Sequence, residues 1–416
     1  MATVVPFKAI LPKKELAGVV ASRSVDFYSH EELEKSLTTN PNSFLHVIHP
    51  DFSDKQHTKP GSIERLTKIK KKLNELIDNG TFTALTEDAF FIYRQSSEFN
   101  SYTGIIGCAS VEDYWKGEIK IHEHTLTERE NKLKEYLEVC NFNAEPVLFG
   151  YPSNHKINTI IETVLLHNPD ISYTTEKNSK HELWKVVGTE AQQIQAEFCT
   201  IKNIYIADGH HRSASSALLG KSKKETNKAH TGKEAYNYYL GAFFPETQLK
   251  IVEFNRVVKD LNGLSAAEFI AKVENYFTVV KKSEELLHPK ALHEIVLYLE
   301  KKWYLLKPRA VLINEQHPVE SLDVHILSEF ILSPILGIKD LKTDKRISFS
   351  PGIKSNLELL KLCEDGKAKA IFFLYPIQFE QVKRVADNNL VMPPKSTWVE
   401  PKMPSGLTIY SLQGDL

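Results

Sequence analysis

YIADGHHRSASSALLG, residues 205–220, carries an aspartate, two histidines and an arginine around one glycine, between an apolar run and an alanine-rich segment. The apolar run before Asp208 is typical of a short buried strand. The segment after Gly209 is compatible with a helix, and Gly220 stands where a glycine commonly ends one. The stretch therefore predicts a strand-to-helix turn crowded with polar side chains.

A turn of this kind suits an anion. The first backbone N–H groups of the helix and the positive end of its dipole point at the same volume, which favours a phosphate or a carboxylate. Arg212 adds a bidentate donor, while His210 and His211 can donate hydrogen bonds. Asp208 can cap the helix or hold a divalent cation. The same residues also fit a plain turn, in which Asp208 caps, Gly209 turns the chain and the histidines lie on the surface.

The bulk composition is that of an ordinary globular protein of more than one domain. The chain has 416 residues, 42% hydrophobic and 25% charged, and exceeds the usual size of a single hydrophobic core. Its 52 basic and 53 acidic residues create no overall field that would attract nucleic acid or an anionic membrane. The first residues lack a signal-peptide pattern and no run approaches 18 apolar residues, so we expect a cytoplasmic protein. The four cysteines form no C-x-x-C pair, which argues against a cysteine zinc site or a dithiol site.

Helical and strand-like patterns are interleaved along the chain without a regular βαβ repeat. Strands are expected at 43–50, 89–95, 103–111, 118–124, 147–152, 182–188, 203–209, 238–246, 249–258, 294–306 and 370–375, with the pair 238–246 and 249–258 forming a hairpin. Helices are expected at 62–80, 127–139, from 154 onward, 189–198, 211–219, 265–276 and 321–335. The lysine-rich stretch 220–235 has the composition of a mobile loop. These patterns predict an α+β (mixed α/β) fold.

Three regions are expected in this multi-domain chain. Residues 1–115 form an N-terminal α/β region, residues 116–258 form the core that carries the opening motif, and residues 259–416 form a C-terminal α/β region. The C-terminal region ends in an irregular, proline-rich stretch, MPPKSTWVEPKMPSG, residues 392–406.

A second group of chemically active residues lies in KIHEHT, residues 120–125. On a strand, His122 and His124 would face one side and Glu123 the other. Glu123 could act as a general base on a substrate hydroxyl, or could be a solvated strand carboxylate. A zinc site built from His122, His124 and His210 is a further alternative.

Several motifs in fixed order resemble the domain of unknown function 1015 family. They include YRQ at 93–95, TGIIGCASVEDYWKGEIKIHEHT at 103–125, IADGHHR at 206–212, NRVV at 255–258 and MPPKSTWVEPKMPSGL at 392–407. The D-G-H-H-R signature is also similar to that of free-serine kinases in the ParB/sulfiredoxin-like superfamily, in which a histidine-glutamate motif precedes it. This resemblance implies a ParB/sulfiredoxin-like nucleotide-binding core within 116–258.

The resemblance also implies roles for individual residues. Glu123 would be the base, acting with His210 and Asp208 as the catalytic group, and Asp208 would hold Mg²⁺. Nucleotide phosphates would bind the turn and the residue that follows it, at Gly209, His210, His211, Arg212 and Ser213. A second phosphate clamp is expected at Lys395, Ser396 and Thr397, which otherwise form a surface loop.

Taken together, these features lead us to expect an enzyme, a small-molecule phosphotransferase that resembles free-serine kinase. It would interconvert serine, or a similar hydroxyl compound, and its phosphate with ATP or ADP and Mg²⁺. Its partners would be a nucleotide and the small hydroxyl substrate, with neither membrane nor nucleic acid, and a homo-oligomer is compatible with the sequence. Two alternatives stay open at this point: a noncatalytic nucleotide-binding regulatory protein and a metal-dependent hydrolase.

Overall fold

A computed structural model describes residues 1–54, 56–352 and 355–416, and for residue 26 the backbone alone. The strands, numbered in chain order, are β1 (Val4–Val5), β2 (Ala9–Pro12), β3 (Phe82–Ala84), β4 (Phe90–Ser96), β5 (Ser101–Ser110), β6 (Ile119–Lys120), β7 (Phe142–Asn143), β8 (Val147–Tyr151), β9 (Ile171–Thr174), β10 (Lys180–Val186), β11 (Ile204–Asp208), β12 (Tyr238–Pro245), β13 (Lys250–Val252), β14 (Phe254–Val258), β15 (Phe277–Ser283), β16 (Ile295–Leu299), β17 (Lys302–Pro308), β18 (Ile347–Pro351), β19 (Ala370–Leu374), β20 (Trp398–Glu400) and β21 (Ile409–Ser411).

The α-helices are α1 (Ala17–Val20), α2 (His30–Thr39), α3 (Leu45–Ile48), α4 (Ile63–Asp78), α5 (Val111–Lys116), α6 (Thr127–Cys140), α7 (His155–Val164), α8 (Gly188–Phe198), α9 (His210–Thr226), α10 (Ala266–Val273), α11 (Asp323–Leu327), α12 (Asn356–Glu364) and α13 (Phe379–Asp387). A π-helical turn at Ser328–Leu332 continues α11. Short 3₁₀ helices lie at Lys14–Leu16, Val25–Phe27, Ala235–Asn237, Glu246–Gln248 and Ala310–Leu312. The fold is mixed α/β, as the sequence predicts.

The chain forms two compact units. Unit 1 comprises Met1–Leu249 and Pro401–Leu416, and unit 2 comprises Lys250–Glu400. The last residues belong to unit 1 because β21 pairs with β2 and with β7. This partition differs from the three regions 1–115, 116–258 and 259–416, which stay a prediction.

Unit 1 is built on a mixed sheet in the order β6-β11-β8-β12-β5-β4-β10-β9, with β1 beside β5. Its pairs are antiparallel except for β11 with β6 and β12 with β8, which are parallel. Apolar side chains of α7 and α8, such as Ile157 and Ile194, pack in one buried cluster with Phe149 and Phe243 of the sheet. A smaller antiparallel sheet, β3-β2-β21-β7, contributes to a second cluster with α4 and α6.

Two features of this sheet position the opening motif. Since β6 and β11 are parallel, both strands end at the same edge, so the chain after Lys120 and the turn after Asp208 meet there. The pairing of β11 with antiparallel β8 shifts register between Ile206 and Asp208, which leaves Ala207 as a bulge. A bulge re-aims the side chain that follows it, in this case the Asp208 carboxylate.

Unit 2 contains an antiparallel sheet in the order β15-β17-β16-β19-β14-β18 and a separate pair, β13 with β20. One face of the larger sheet packs against α10, α11 and α13, and the other face packs against α12. Strand β14 lies between β18 and β19.

Several local predictions are wrong. Residues 43–50 contain the short helix α3 and no strand, because Leu45 and Val47 are buried in a helical turn. Residues 238–246 and 249–258 form no hairpin, since β12 pairs within unit 1 while β13 and β14 pair within unit 2. The strand expected at 118–124 ends at Lys120.

Gly220 does not end the helix that follows the motif. Helix α9 continues to Thr226 and takes up the first half of the expected loop 220–235. A Cβ atom at Gly220 would lie 2.7 Å from the Tyr236 carbonyl oxygen and 2.9 Å from Cγ1 of Val111. The glycine therefore permits a close approach between α9 and its neighbours, and its signal was misread as a helix end.

Across the described ranges, the structure has no helix with both the length and the apolar character needed to cross a membrane.

Candidate functional site

The backbone of the opening motif forms a sharp turn into α9. Gly209 precedes the helix with φ +97°, a conformation that L-residues rarely adopt. The first intrahelical hydrogen bond runs from the Ser213 N–H to the Gly209 carbonyl oxygen, so the preceding N–H groups have no acceptor within the helix. Gly209 is the N-cap residue of α9 and makes no side-chain cap, so of the two roles open to Asp208 the structure does not show that of N-cap.

Asp208 is held by two cations. Its Oδ2 atom lies 3.0 Å from Nζ of Lys402 and 3.8 Å from Nη2 of Arg212. Burial by itself raises the pKa of this carboxyl, but the charges of Lys402 and Arg212 outweigh burial and lower the pKa to about 2. Asp208 is consequently ionised throughout the neutral range.

Arg212 reaches back across the turn to the start of β8. Its Nη1 atom donates to the carbonyl oxygens of Pro146 at 2.5 Å and Glu145 at 3.3 Å, and lies 3.5 Å from the Glu145 carboxylate. The guanidinium also covers Gly209, where an added Cβ would come within 3.0 Å of it. The arginine is therefore fixed in position by unit 1 itself.

The two histidines of the motif hold the chain that follows β6. The backbone N–H of His122 donates to Nε2 of His210 at 3.4 Å, and the N–H of Leu126 donates to Nε2 of His211 at 3.1 Å. Because a backbone N–H can only donate, both Nε2 atoms are acceptors, and the proton of each neutral ring is on Nδ1. The histidines thus anchor the segment 121–126 on the first turn of α9, although the sequence predicts that they bind phosphate.

His210 is buried against His122, with the two rings edge to face and their centroids 4.4 Å apart. Burial and the neighbouring His122 ring lower the pKa of His210 well below its ordinary value, and burial lowers the pKa of His122 to about 4. Both rings are neutral at pH 7.

Glu123 lies beside the motif, as the sequence predicts from the resemblance. Its Oε2 atom is 3.5 Å from Nδ1 of His210, and its side chain is about half exposed, at 49%. Since Nδ1 carries the proton of the His210 ring, that N–H faces the carboxylate. The structure therefore places the half-exposed Glu123 carboxylate beside the turn that contains the ionised Asp208, which is 85 residues later in the sequence.

The other residues predicted to bind phosphate are Ser213, in the first turn of α9, and Lys395, Ser396 and Thr397. Ser213 is fully buried and its Oγ atom is 2.7 Å from the Tyr239 hydroxyl, so it serves the packing of α9. Lys395, Ser396 and Thr397 belong to unit 2, where Ser396 is buried and donates to the Pro393 carbonyl oxygen at 2.6 Å.

Among the residues that the structure describes, no three histidine, cysteine, aspartate or glutamate side chains are grouped so that they could hold a metal ion. The zinc alternative placed His122 and His124 on one face of a strand, but this segment is not a strand, and His122 is buried while His124 is exposed. For Mg²⁺, Asp208 is a suitable oxygen ligand.

A small cavity borders the turn. Asp208, Arg212 and Lys402 line it together with Ser24, Phe27 and Met403. Its volume is about 10 Å³, close to the minimum for one water molecule. In the conformation described, the cavity is too small to hold a phosphate group.

Lys402 is a residue of the candidate site that the sequence did not predict. It lies seven residues beyond Lys395, in the same proline-rich stretch, and meets Asp208 across 194 residues of chain. The stretch was recognised as a family motif, but nothing local distinguishes the second Pro-Lys pair from the first.

No curated protein matches this chain. Among solved structures it is similar to a free serine kinase in complex with AMP (13% identity, 71% of this chain, 87% of that chain, TM-score 0.35). It is also similar to a C-terminally truncated SbnI from Staphylococcus aureus (12% identity, 71% of this chain, 82% of that chain, TM-score 0.35). A conserved hypothetical protein from Pyrococcus furiosus is similar as well (13% identity, 73% of this chain, 94% of that chain, TM-score 0.33). The family model described as protein of unknown function (DUF1015) matches residues 4–325, and the chain belongs to this family.

Proposed function

We propose that unit 1 is a nucleotide-binding core of the ParB/sulfiredoxin-like kind in a cytoplasmic small-molecule phosphotransferase. The substrates are ATP or ADP and a hydroxyl compound such as serine, and the reverse reaction uses phosphoserine. The observation that carries the proposal is the position of the Glu123 carboxylate, beside the α9 terminus at which Asp208, Arg212 and Lys402 converge.

The proposed step is a direct transfer. The acceptor hydroxyl oxygen bonds to the terminal phosphorus, the bond from that phosphorus to the bridging oxygen of the nucleotide breaks, and the nucleotide leaves with one phosphate fewer. Glu123 accepts the hydroxyl proton, and the neutral His210 orients the Glu123 carboxylate through Nδ1–H. Positioning and charge neutralisation dominate the catalysis of such transfers.

The charge neutralisation comes from the turn. Arg212 and the first N–H groups of α9 lie where a phosphate would meet a helix N-terminus. Lys402 is the lining side chain that moves in this proposal. Its ammonium group leaves Asp208 and binds the incoming phosphate, because the phosphate competes with Asp208 for it. Mg²⁺, when bound with the nucleotide, would be held by Asp208 and would neutralise charge on the phosphoryl oxygens.

The test is an assay in both directions, serine with ATP or ADP and phosphoserine with ADP or AMP, each with Mg²⁺. We expect Glu123→Gln to lower turnover at least about 100-fold while nucleotide affinity stays within about twofold. Arg212→Ala should weaken nucleotide affinity. Glu128→Gln is the matched control, since Glu128 is an exposed carboxylate on α6 that pairs with Lys132 and should leave both quantities unchanged.

Nucleotide binding without turnover in either direction would overturn the transferase proposal in favour of a noncatalytic nucleotide-binding protein. Equal turnover of Glu123→Gln and the wild type would remove Glu123 from the mechanism.

A further inference from the structure

Arg256, in the middle of β14, is fully buried in unit 2. Its Nη1 atom donates to the carbonyl oxygen of Phe254, while its Nε and Nη2 atoms have no hydrogen-bond partner among the residues that the structure describes. Since Nε carries one N–H and Nη2 carries two, three donors of a buried guanidinium lack an acceptor. A buried guanidinium without a counter-ion is strongly destabilising, and a bound anion would compensate its charge.

Among the residues that the structure describes, no acidic side chain pairs with this guanidinium, and burial is the only cause of its pKa shift. Arg256 is paired in register with Phe349 on β18 and Phe372 on β19, and it lies 5.3 Å from the centroid of the Phe349 ring. Burial lowers the pKa of Arg256 to about 9, which leaves the group protonated at neutral pH. The charge is therefore present and unbalanced beside aromatic rings.

A second cation lies near the same face of β14. Phe254 is two residues before Arg256, so both side chains point to one side of the strand. Nζ of Lys395 is 5.9 Å from the centroid of the Phe254 ring, and Lys395 is exposed. Phe254 thus lies between the buried guanidinium, which its carbonyl binds, and a solvent-accessible ammonium group.

We propose that Arg256 anchors a binding site for a small-molecule oxyanion in unit 2, with Lys395 as the second positive charge on its outer side. The ligand carries a phosphate or a carboxylate group, because the planar guanidinium fork matches two oxygens of either. All residues of this site lie in unit 2, and none takes part in the phosphotransfer proposed for unit 1.

The test is calorimetric titration of the full chain with inorganic phosphate and, separately, with acetate. We expect Arg256→Met to lower the affinity for the preferred anion by about 10- to 100-fold, the range of hydrogen bonds to charged groups. Arg256→Lys should lower the affinity less, because lysine keeps the positive charge although it lacks the planar guanidinium donors. Arg346→Met is the control, since that guanidinium of the same unit already binds Asp344 and the Leu336 carbonyl oxygen.

Tighter binding of phosphate identifies a phosphate ligand, and tighter binding of acetate identifies a carboxylate. Equal affinity of Arg256→Met and the wild type for both anions would overturn the proposal. Unchanged nucleotide affinity of Arg256→Met separates this site from unit 1, so either proposal can fail alone.

A crystal structure of the wild type with selenate gives a readout that does not depend on the folding of a variant. We expect an anomalous peak within hydrogen-bond distance of Nε or Nη2 of Arg256. A guanidinium bonded only to protein atoms and water at saturating selenate would contradict the assignment.

Discussion

Arg212, in the first turn of α9, and Arg256, in the middle of β14, differ in how the protein balances their charges. Arg212 is 26% exposed and binds two carbonyl oxygens, with the carboxylates of Glu145 and Asp208 nearby. Arg256 is fully buried, with a single carbonyl as its acceptor among the described residues. The first arginine is balanced by its own unit, and the second is not.

This difference separates two kinds of evidence for a site. The conspicuous motif at 208–212 uses much of its polarity internally, because its histidines accept backbone N–H groups and its arginine binds β8. In the NRVV segment, by contrast, Nε and Nη2 of the buried Arg256 have no acceptor among the described residues. The motif at 208–212 therefore uses several of its polar groups within the protein, whereas part of the buried charge of Arg256 has no acceptor among the described residues.

The largest effect is expected from Gly209→Ala, which forces Arg212 out of its position. The substitution places a Cβ within 3.0 Å of the guanidinium and in a left-handed conformation, at φ +97°. We expect a loss of about 3 kcal/mol in the free energy of unfolding, of which the backbone accounts for about 1–2 kcal/mol. Urea denaturation measures the change.

Gly117→Ala is the control for that backbone contribution. Gly117 is also left-handed, at φ +71°, but a Cβ there meets no atom within 4 Å. We expect a loss of about 1 kcal/mol. Equal losses in the free energy of unfolding for the two substitutions would mean that the Arg212 side chain can move away from Gly209 without cost. Arg212 would then be held less firmly than its contacts indicate, and its contrast with Arg256 would be smaller.

A medium effect is expected when each arginine is replaced by methionine. Arg212→Met leaves the carbonyls of Glu145 and Pro146 and the Asp208 carboxylate short of a donor, and should cost about 2 kcal/mol. Arg256→Met replaces an unpaired buried charge by an apolar side chain of similar length, and should change the stability by less than about 1 kcal/mol or raise it. Urea denaturation in buffers without phosphate, sulfate or carboxylate compares the two. A larger loss for Arg256→Met would show that its partners lie within the protein.

Local patterns predicted much of the fold because they report local burial. The stripe of Leu66, Ile69 and Leu73 predicted α4, and these residues are buried. The segment 43–50 was mispredicted because a short apolar run fits a strand and a buried helical turn equally well. Gly220 was misread because its reason, contact with Tyr236 and Val111, is tertiary.

The site divides in the same way. The turn at Asp208 and Gly209 could be predicted because strand, glycine and helix are contiguous, and the resemblance supplied Glu123. Lys402 and the unpaired state of Arg256 could not, because each depends on which distant strands and loops become neighbours in the fold. Phosphate binding by His210 and His211 stays a prediction, and their contacts with the backbone N–H groups of 122 and 126 could not be predicted from residue type.

The smallest effect is expected from Lys402→Met, which sharpens the comparison by removing one of the two cations that balance Asp208. The pKa of Asp208 is lowered from 3.8 to about 2, so its contribution to stability is complete above about pH 4 and is lost as the pH falls toward 2. Because the side chain is 42% exposed, this contribution is below about 1 kcal/mol. Without Lys402 the pKa rises toward its ordinary value, and less stability depends on ionisation.

The gap in free energy of unfolding between the wild type and Lys402→Met should therefore be present at pH 6 and shrink by pH 2.5, as measured by urea denaturation. Lys116→Met provides the comparison, since Lys116 pairs with Glu112 on the exposed surface of α5 and should show almost no gap at either pH. A gap for Lys402→Met that stays constant across this range would mean that Lys402 acts through packing. The charge balance at Asp208 would then rest on Arg212, and in the proposed reaction the phosphate would have to compete with Asp208 for that guanidinium.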